Sequence, residues 1–215
     1  MKHMTFALCA ICGIAPMVAT IASGQTAALT SVDQTYIRSM TGSAGYGYSL
    51  GWEFEMTQNA QVTSLGLLDL GFSSDHEVGI WTTGGVLLGN ATVSESATPD
   101  SSGFAWATLG ADINLSAGQD YVISAWYPTT SGSCDDWVVF GAAPVTASAV
   151  DYINAELGGL TTSFNYPNNA NPAFNAGVFG PNFQYTTTAV PEPSTLALAA
   201  LGASACFWRL RRRNA

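Results

Sequence analysis

Large apolar and polar side chains alternate along much of the middle of the chain. The alternation is clearest at residues 52–56, where Glu53 and Glu55 stand between Trp52, Phe54 and Met56. Successive side chains of a strand point to opposite faces of its sheet, so this pattern predicts a half-buried strand. Glycine, serine, threonine and asparagine recur at short intervals, and no amphipathic helix is evident. The pattern therefore predicts an all-β domain with tight turns.

The same pattern predicts about ten strands. They cover residues 52–56, 61–70, 77–81, 86–93, 104–109, 112–115, 120–127, 137–140, 150–154 and 183–188. Thr83-Gly84-Gly85 predicts a hairpin turn, because glycine supplies the positive φ that such turns need. Many short strands separated by turns favour a single antiparallel β-sandwich of jelly-roll type over residues 25–189.

Charge is scarce and unevenly placed. Charged residues make up 10% of the chain, against about 25% in an ordinary soluble domain. Fourteen of the fifteen acidic residues, but only Arg38 among the six basic ones, lie between residues 25 and 190, which gives this stretch a net charge of −13. Such a body cannot neutralise a run of phosphates, which excludes nucleic acid as a partner. It also excludes electrostatic attachment of the body to an anionic membrane.

Residues 1–24 have the organisation of a secretory signal peptide. Lys2 and His3 precede an apolar run over residues 6–22, which ends in small residues. A charged start, an apolar middle and a small-residue cleavage site are the parts of such a signal. We therefore expect the export machinery and signal peptidase to act on this end. Cys9 and Cys12 fall inside the signal and Cys206 in the tail, so Cys134 alone remains in the body and no disulfide is expected there.

The C-terminal residues 190–215 combine three features. Val190-Pro191-Glu192-Pro193 precedes an uncharged apolar stretch, which Arg209, Arg211, Arg212 and Arg213 follow. Residues 194–210 are long enough for a thin transmembrane helix if Arg209 snorkels. The arginines would hold this end in the cytoplasm as a membrane stop, which leaves the body outside. An ordinary C-terminal anchor would have the same features.

The order of these features over residues 190–213 resembles the PEP-CTERM sorting signal of Gram-negative bacteria that secrete exopolysaccharide. The resemblance implies an anchored inner-membrane precursor, recognition by exosortase near the Pro-Glu-Pro element, and transfer to the cell surface or extracellular matrix. The Pro-Glu-Pro element suits recognition by an enzyme, because two prolines fix an extended backbone that cannot become part of a helix. Glu192 supplies the one side-chain charge of that element.

The body also resembles a β-sandwich domain of bacterial surface proteins that is catalogued as a domain of unknown function. The resemblance rests on LGWEF at 50–54, VTSLG at 62–66, HEVGIW at 76–81, LLGNATV at 87–93, LSAGQDYV at 115–122 and FGPNF at 179–183. That domain has no established activity, cofactor or catalytic residue. The resemblance therefore implies a fold and leaves the function open.

Gly47-Tyr48-Ser49-Leu50-Gly51 matches the G-x-S-x-G nucleophile elbow, in which a turn between strand and helix exposes a serine. A predicted strand follows Ser49 where the elbow needs a helix. We therefore expect a flexible start to the first strand, and a hydrolase is the most distant functional alternative.

Two acidic clusters are candidates for acid-base or metal chemistry. Asp75-His76-Glu77 combines an imidazole with carboxylates. On a strand, however, His76 faces away from its neighbours, so a histidine bonded to a nearby loop is the alternative. Asp135 and Asp136 offer oxygen ligands that Ca²⁺ prefers, but two acids are too few to specify a site. We predict no cofactor and name no metal or catalytic residue.

The five tryptophans of the body bear on sugar binding. They are Trp52, Trp81, Trp106, Trp126 and Trp137. Buried tryptophans would belong to the core, whereas tryptophans exposed on one sheet could stack on sugar rings. The alternation turns Trp81 away from Val78 and Ile80, which makes Trp81 the first candidate for an exposed sugar platform.

Two functional classes fit these observations. The first is a non-enzymatic surface or matrix protein with a structural or adhesive role, and the second is a carbohydrate-binding module for exopolysaccharide. An aromatic strip on one open face would favour the second class, and a closed surface would favour the first.

Overall fold

The computed structural model describes residues 24–130, 132–139, 144–170 and 178–187. All regular structure within these ranges is β, as the alternation predicts. No helix among the residues so described is long and apolar enough to cross a membrane. The predicted signal peptide, apart from Gly24, and the predicted sorting signal with its transmembrane helix lie outside the described residues.

The described residues form fifteen short and long strands. They are β1 Thr26–Ala27, β2 Leu29–Ser31, β3 Ile37–Arg38, β4 Gly47–Met56, β5 Ala60–Leu68, β6 His76–Thr82, β7 Leu87–Val93, β8 Phe104–Leu115, β9 Gln119–Pro128, β10 Trp137–Val139, β11 Val145–Thr146, β12 Val150–Thr161, β13 Asn169–Ala170, β14 Val178–Phe179 and β15 Pro181–Thr187. Every pairing among them is antiparallel.

Most strands belong to two sheets. The large sheet has the order β13-β12-β4-β9-β6-β7, and the second sheet has the order β1-β15-β5-β8. Strand β4 pairs along its whole length with β9 on one side and with β12 on the other. It therefore lies at the centre of the large sheet and positions the residues discussed below.

The inward faces of the two sheets meet in one apolar core. Trp52 on β4 and Phe183 on β15 stack with their ring centroids 6.2 Å apart, and the centroid of Phe54 lies 4.8 Å from that of Phe183. All three side chains are fully buried, and each such burial contributes about 1.5–3 kcal/mol. Cys134 is a free, buried cysteine, so apolar packing holds the described body together.

The predicted hairpin turn is confirmed. Strands β6 and β7 are joined through residues 83–86, and the N–H of Gly85 donates to the carbonyl of Thr82 over 2.9 Å. Gly85 has a φ of 81°, a conformation that a side chain disfavours.

Several predicted strand limits are wrong. The two strands predicted at 104–109 and 112–115 are the single strand β8, because a register shift between Val62 and Ser64 of β5 absorbs the irregular residues between them. The strand predicted to end at residue 154 continues to Thr161, because β4 pairs with it as far as Gly47. The short strands β1, β2, β3, β11, β13 and β14 have two or three residues each, too few for a periodic pattern to reveal.

Candidate functional site

Ser49 lies inside β4, where it pairs with Trp126 of β9. It does not lie at a turn into a helix, as a nucleophile elbow would require. Its side chain is fully buried. The Oγ atom donates to Oδ1 of Asn165 over 2.9 Å and accepts the N–H of Asn165 over 3.2 Å. These bonds attach residues 162–168, which we call the covering segment, to the outer face of the large sheet. The hydroxyl of Ser49 is thus engaged in a structural contact.

His76 connects β6 to a loop from elsewhere in the chain. Its Nδ1 lies 3.0 Å from the carbonyl oxygen of Trp126, and its Nε2 lies 2.9 Å from Oδ2 of Asp135. The imidazole is fully buried. The alternative expectation, a histidine at a strand start bonded to a neighbouring loop, is confirmed.

Asp135 is the centre of this junction. Its Oδ2 accepts the N–H of Ser73 over 2.9 Å and its Oδ1 accepts the hydroxyl of Ser73 over 2.5 Å. Burial raises the pKa of Asp135, but the hydrogen bonds from His76 and Ser73 outweigh it and hold that pKa well below its usual range. Both carboxylate oxygens are therefore committed to protein donors.

The Asp75-His76-Glu77 group does not converge. Oδ1 of Asp75 accepts the N–H of Glu95 over 2.9 Å, and the Glu77 carboxylate accepts from the side chain of Asn90. Within the described ranges, no group of three or more His, Cys, Asp or Glu residues is placed to hold a metal ion.

Trp81 faces away from the core, as the alternation predicts, but the expectation that it forms an exposed platform is wrong. Its side chain is 8% exposed. The covering segment lies over it, with ring centroids 5.3 Å away at Phe164 and 5.8 Å away at Tyr166. The indole Nε1 donates to Oγ of Ser124 over 3.0 Å. A sugar therefore cannot stack on Trp81 in this conformation.

Gly79 explains how the covering segment fits so closely. A Cβ atom at this position would lie 2.9 Å from the Phe164 ring, closer than real Cβ contacts. Glycine inside a strand often marks a close approach of another part of the chain. This glycine was the available sequence signal that the outer face of the large sheet is covered.

Glu53 and Glu156 form a carboxylate pair on the same face. Glu156 is directly opposite Gly51, and Glu53 is opposite Asn154, so the two acids are diagonal neighbours on adjacent strands. Glu156 is 4% exposed. Burial, together with the charge of Glu53, raises the pKa of Glu156 to about 7. Sequence reasoning missed this pair because the strand that carries Glu156 was predicted to end two residues before it.

The pKa values of Glu53 and of the nearby Tyr166 are raised as well. Burial, followed by the charge of Asp120, raises the pKa of Glu53. Burial, followed by the charges of Glu156 and Glu53, raises the pKa of Tyr166 in the covering segment. Among the described residues, neither glutamate forms an ion pair with a basic side chain. The pair can therefore hold and release a proton near neutral pH.

Trp106 is the half-buried tryptophan of the second sheet. It is directly opposite Gly66, and a Cβ atom at residue 66 would lie within 2.4 Å of the indole. The ring therefore lies on the backbone of β5. Its Nε1 donates to Oδ2 of Asp100 over 2.8 Å, which fixes the orientation of the ring.

The comparison with known sequences defines the class of protein first. A model of the PEP-CTERM protein-sorting motif matches residues 189–213, which confirms the resemblance of the tail. The motif implies an exported protein that exosortase processes.

A second family model, described as Domain of unknown function (DUF4082), matches residues 34–191. This match covers more than half of the chain, and the chain belongs to the DUF4082 family. No curated protein matches the chain.

Proposed function

We propose that the protein is a non-enzymatic structural or adhesive module of the cell surface or extracellular matrix of an exopolysaccharide-producing, Gram-negative bacterium. In this proposal residues 25–189 form one β-sandwich of jelly-roll type. The observation that carries the proposal is that Ser49 and His76, the candidate reactive groups of the sequence motifs, are both used in structural contacts. Ser49 binds the covering segment, and His76 binds Asp135 and a backbone carbonyl.

In this proposal the two ends of the chain direct the delivery of the protein to the cell surface or matrix. Signal peptidase removes residues 1–24, and a helix at about residues 194–210 holds the precursor in the inner membrane. Exosortase then acts near Val190, Pro191, Glu192 and Pro193, and the mature body passes to the surface or the matrix.

A carbohydrate-binding module for exopolysaccharide is the second candidate. Trp106 is the observation that favours it, because the ring is half-buried and held in a fixed orientation. A hydrolase remains the distant third, since Ser49 and His76 belong to separate structural contacts.

The proposed function is tested in a strain that lacks the gene and is complemented with variants. We expect loss of the protein to weaken the cohesion of the matrix under shear. Ser49→Ala and Glu156→Gln remove the candidate reactive groups and should restore cohesion fully, whereas Glu192→Ala should fail because the protein is not delivered. A folded, delivered Ser49→Ala protein that does not restore cohesion would argue for catalysis.

A further inference from the structure

Trp106 is half-buried and lies beside the buried ring of Phe104, with the two ring centroids 5.6 Å apart, on the face of the second sheet opposite to Leu65 and Phe183. Leu65 and Phe183, which pair with each other, point inward into the core. Gly66 follows Leu65 on β5, and Trp106 precedes Ala107, the residue opposite Leu65 on β8. Because successive residues of a strand point to opposite faces, Gly66 and Trp106 face outward.

The indole is prepared as a flat platform. One side of the ring covers Gly66, and Nε1 is bound to Asp100. Asp100 is itself held, because its Oδ1 accepts the N–H of Ser102 over 2.8 Å and that of Phe104 over 3.2 Å. A ring that is already ordered loses little further conformational freedom when a ligand stacks on it.

Polar side chains continue the same face beside the ring. Thr108 follows Trp106 by two residues on β8 and is exposed. It is opposite the buried Ser64, and Ser64 is in turn opposite the half-buried Gln184 on β15. Hydroxyl and amide groups next to an aromatic ring suit a ligand that has both apolar C–H faces and hydroxyl groups.

Charge narrows the class of ligand. The stretch from residue 25 to residue 190 has a net charge of −13, and its one basic residue, Arg38, lies on β3 in a different sheet. An anionic polymer would therefore be repelled and would find no basic partner on this face.

We propose that Trp106, with Thr108 and Gln184, forms a binding surface for a neutral polysaccharide, whose sugar rings stack on the exposed part of the indole. This inference deepens the proposed adhesive function and rests on it, because attachment to the matrix polymer is the adhesive step. The surface lies on the opposite sheet from Trp81, so the covering segment does not affect it.

The inference is tested by affinity electrophoresis of the mature protein, purified from a producing strain, in gels that contain a soluble neutral polysaccharide. The probes are dextran, galactomannan and hydroxyethylcellulose, with alginate as the anionic control. We expect at least one neutral polymer to retard the protein, alginate not to do so, and Trp106→Ala to reduce the apparent affinity at least fivefold. Thr108→Ala, which leaves the ring in place, should reduce it less.

Trp126→Ala is the matched control, because Trp126 is also half-buried and lies against a glycine, Gly47, on the large sheet. It should bind as the unaltered protein does, and circular dichroism should show that each variant compared is folded. Equal retardation of the unaltered protein and Trp106→Ala, or no retardation by any neutral polymer, would overturn the inference. Loss of matrix cohesion in the deletion strain would still stand in that case, so the two proposals fail separately.

Discussion

Nε2 of His76 lies 2.9 Å from Oδ2 of Asp135, in a buried pair that joins the start of β6 to the residues preceding β10. The two residues are 59 positions apart in the chain, so the pair closes a long loop. Ser73 donates twice to the same carboxylate. His76, Asp135 and Ser73 are residue types that often serve in catalysis, but here they stabilise the junction between the start of β6 and the residues preceding β10.

Asp135→Asn should destabilise the protein at pH 7 by about 1–3 kcal/mol, because it removes the charged acceptor of the hydrogen bonds from His76 and Ser73. The pKa of Asp135 is lower in the folded protein than in the unfolded chain. The carboxylate thus stabilises the fold above its unfolded pKa of about 3.9, and the contribution is lost as the pH falls below that value. Urea unfolding at pH 7 and pH 3 should show a large difference between variant and unaltered protein at pH 7 and a smaller one at pH 3. Asp136→Asn is the control, and an equal effect there would contradict the assignment.

Glu156→Gln should stabilise the protein at pH 8 and leave its stability at pH 4 nearly unchanged. The pKa of Glu156 is raised to about 7, above the value in an unfolded chain, so the fold favours the protonated acid. Its contribution is full below about pH 4.3 and is lost as the pH rises through 7, at up to about 1.4 kcal/mol per pH unit. Glutamine keeps the neutral form at every pH. Urea unfolding across this range measures the effect, and the exposed Glu95→Gln should give a curve parallel to that of the unaltered protein.

Phe164→Ala should uncover Trp81 without unfolding the sheet. The Phe164 ring packs on the indole and above Gly79, and these contacts are lost in alanine. Quenching of tryptophan fluorescence by acrylamide should increase. The increase should disappear when Trp81→Phe is added, which assigns it to this tryptophan. Unchanged quenching in Phe164→Ala would mean that the covering segment shields Trp81 by other contacts.

The alternation of residues 52–56 predicted the second half of β4 correctly, because one face of that strand meets the core and the other carries acids. The flexible entry expected at residues 47–51 is wrong, since these residues pair with β9 as part of the same strand. The same reasoning predicted the facing of Trp81 but not its burial. Periodicity assigns a side chain to a face, and it carries no information on whether a distant segment, here residues 162–168, crosses that face. The contact of His76 with Asp135 was beyond prediction for the same reason, since it depends on how the loop before β10 meets the start of β6.

Cys134→Ser should leave residues 25–189 able to melt cooperatively as a β-rich monomer. The buried thiol donates to the carbonyl of Met40 over 3.2 Å and accepts its N–H over 3.3 Å. A serine hydroxyl can make both bonds, so the cost should be about 1 kcal/mol. Circular dichroism during heating measures this cost. Cys134→Val, which loses both bonds, should melt at a lower temperature than Cys134→Ser. Loss of a cooperative transition in the serine variant would contradict a body held by its apolar core.

The tail should act as a processing signal. Glu192→Ala, or Pro191→Ala with Pro193→Ala, changes the rigid charged element and leaves residues 1–24 and the arginines intact. Export and insertion should therefore continue, while uncleaved precursor accumulates in the membrane because exosortase no longer recognises it. Neutral replacement of Arg209, Arg211, Arg212 and Arg213 should act differently and weaken the membrane stop and the orientation.

Mass spectrometry of the mature protein separates a processed tail from a permanent anchor. In a strain with active exosortase the surface or secreted protein should end near residues 190–193, and in an exosortase-deficient strain it should retain the arginines. The deficient strain and Glu192→Ala should give the same uncleaved product, since both interrupt one step. If the mature protein in the active strain still carries Arg213, the tail is an ordinary anchor, because cleavage at the Pro-Glu-Pro element would have removed every residue after it.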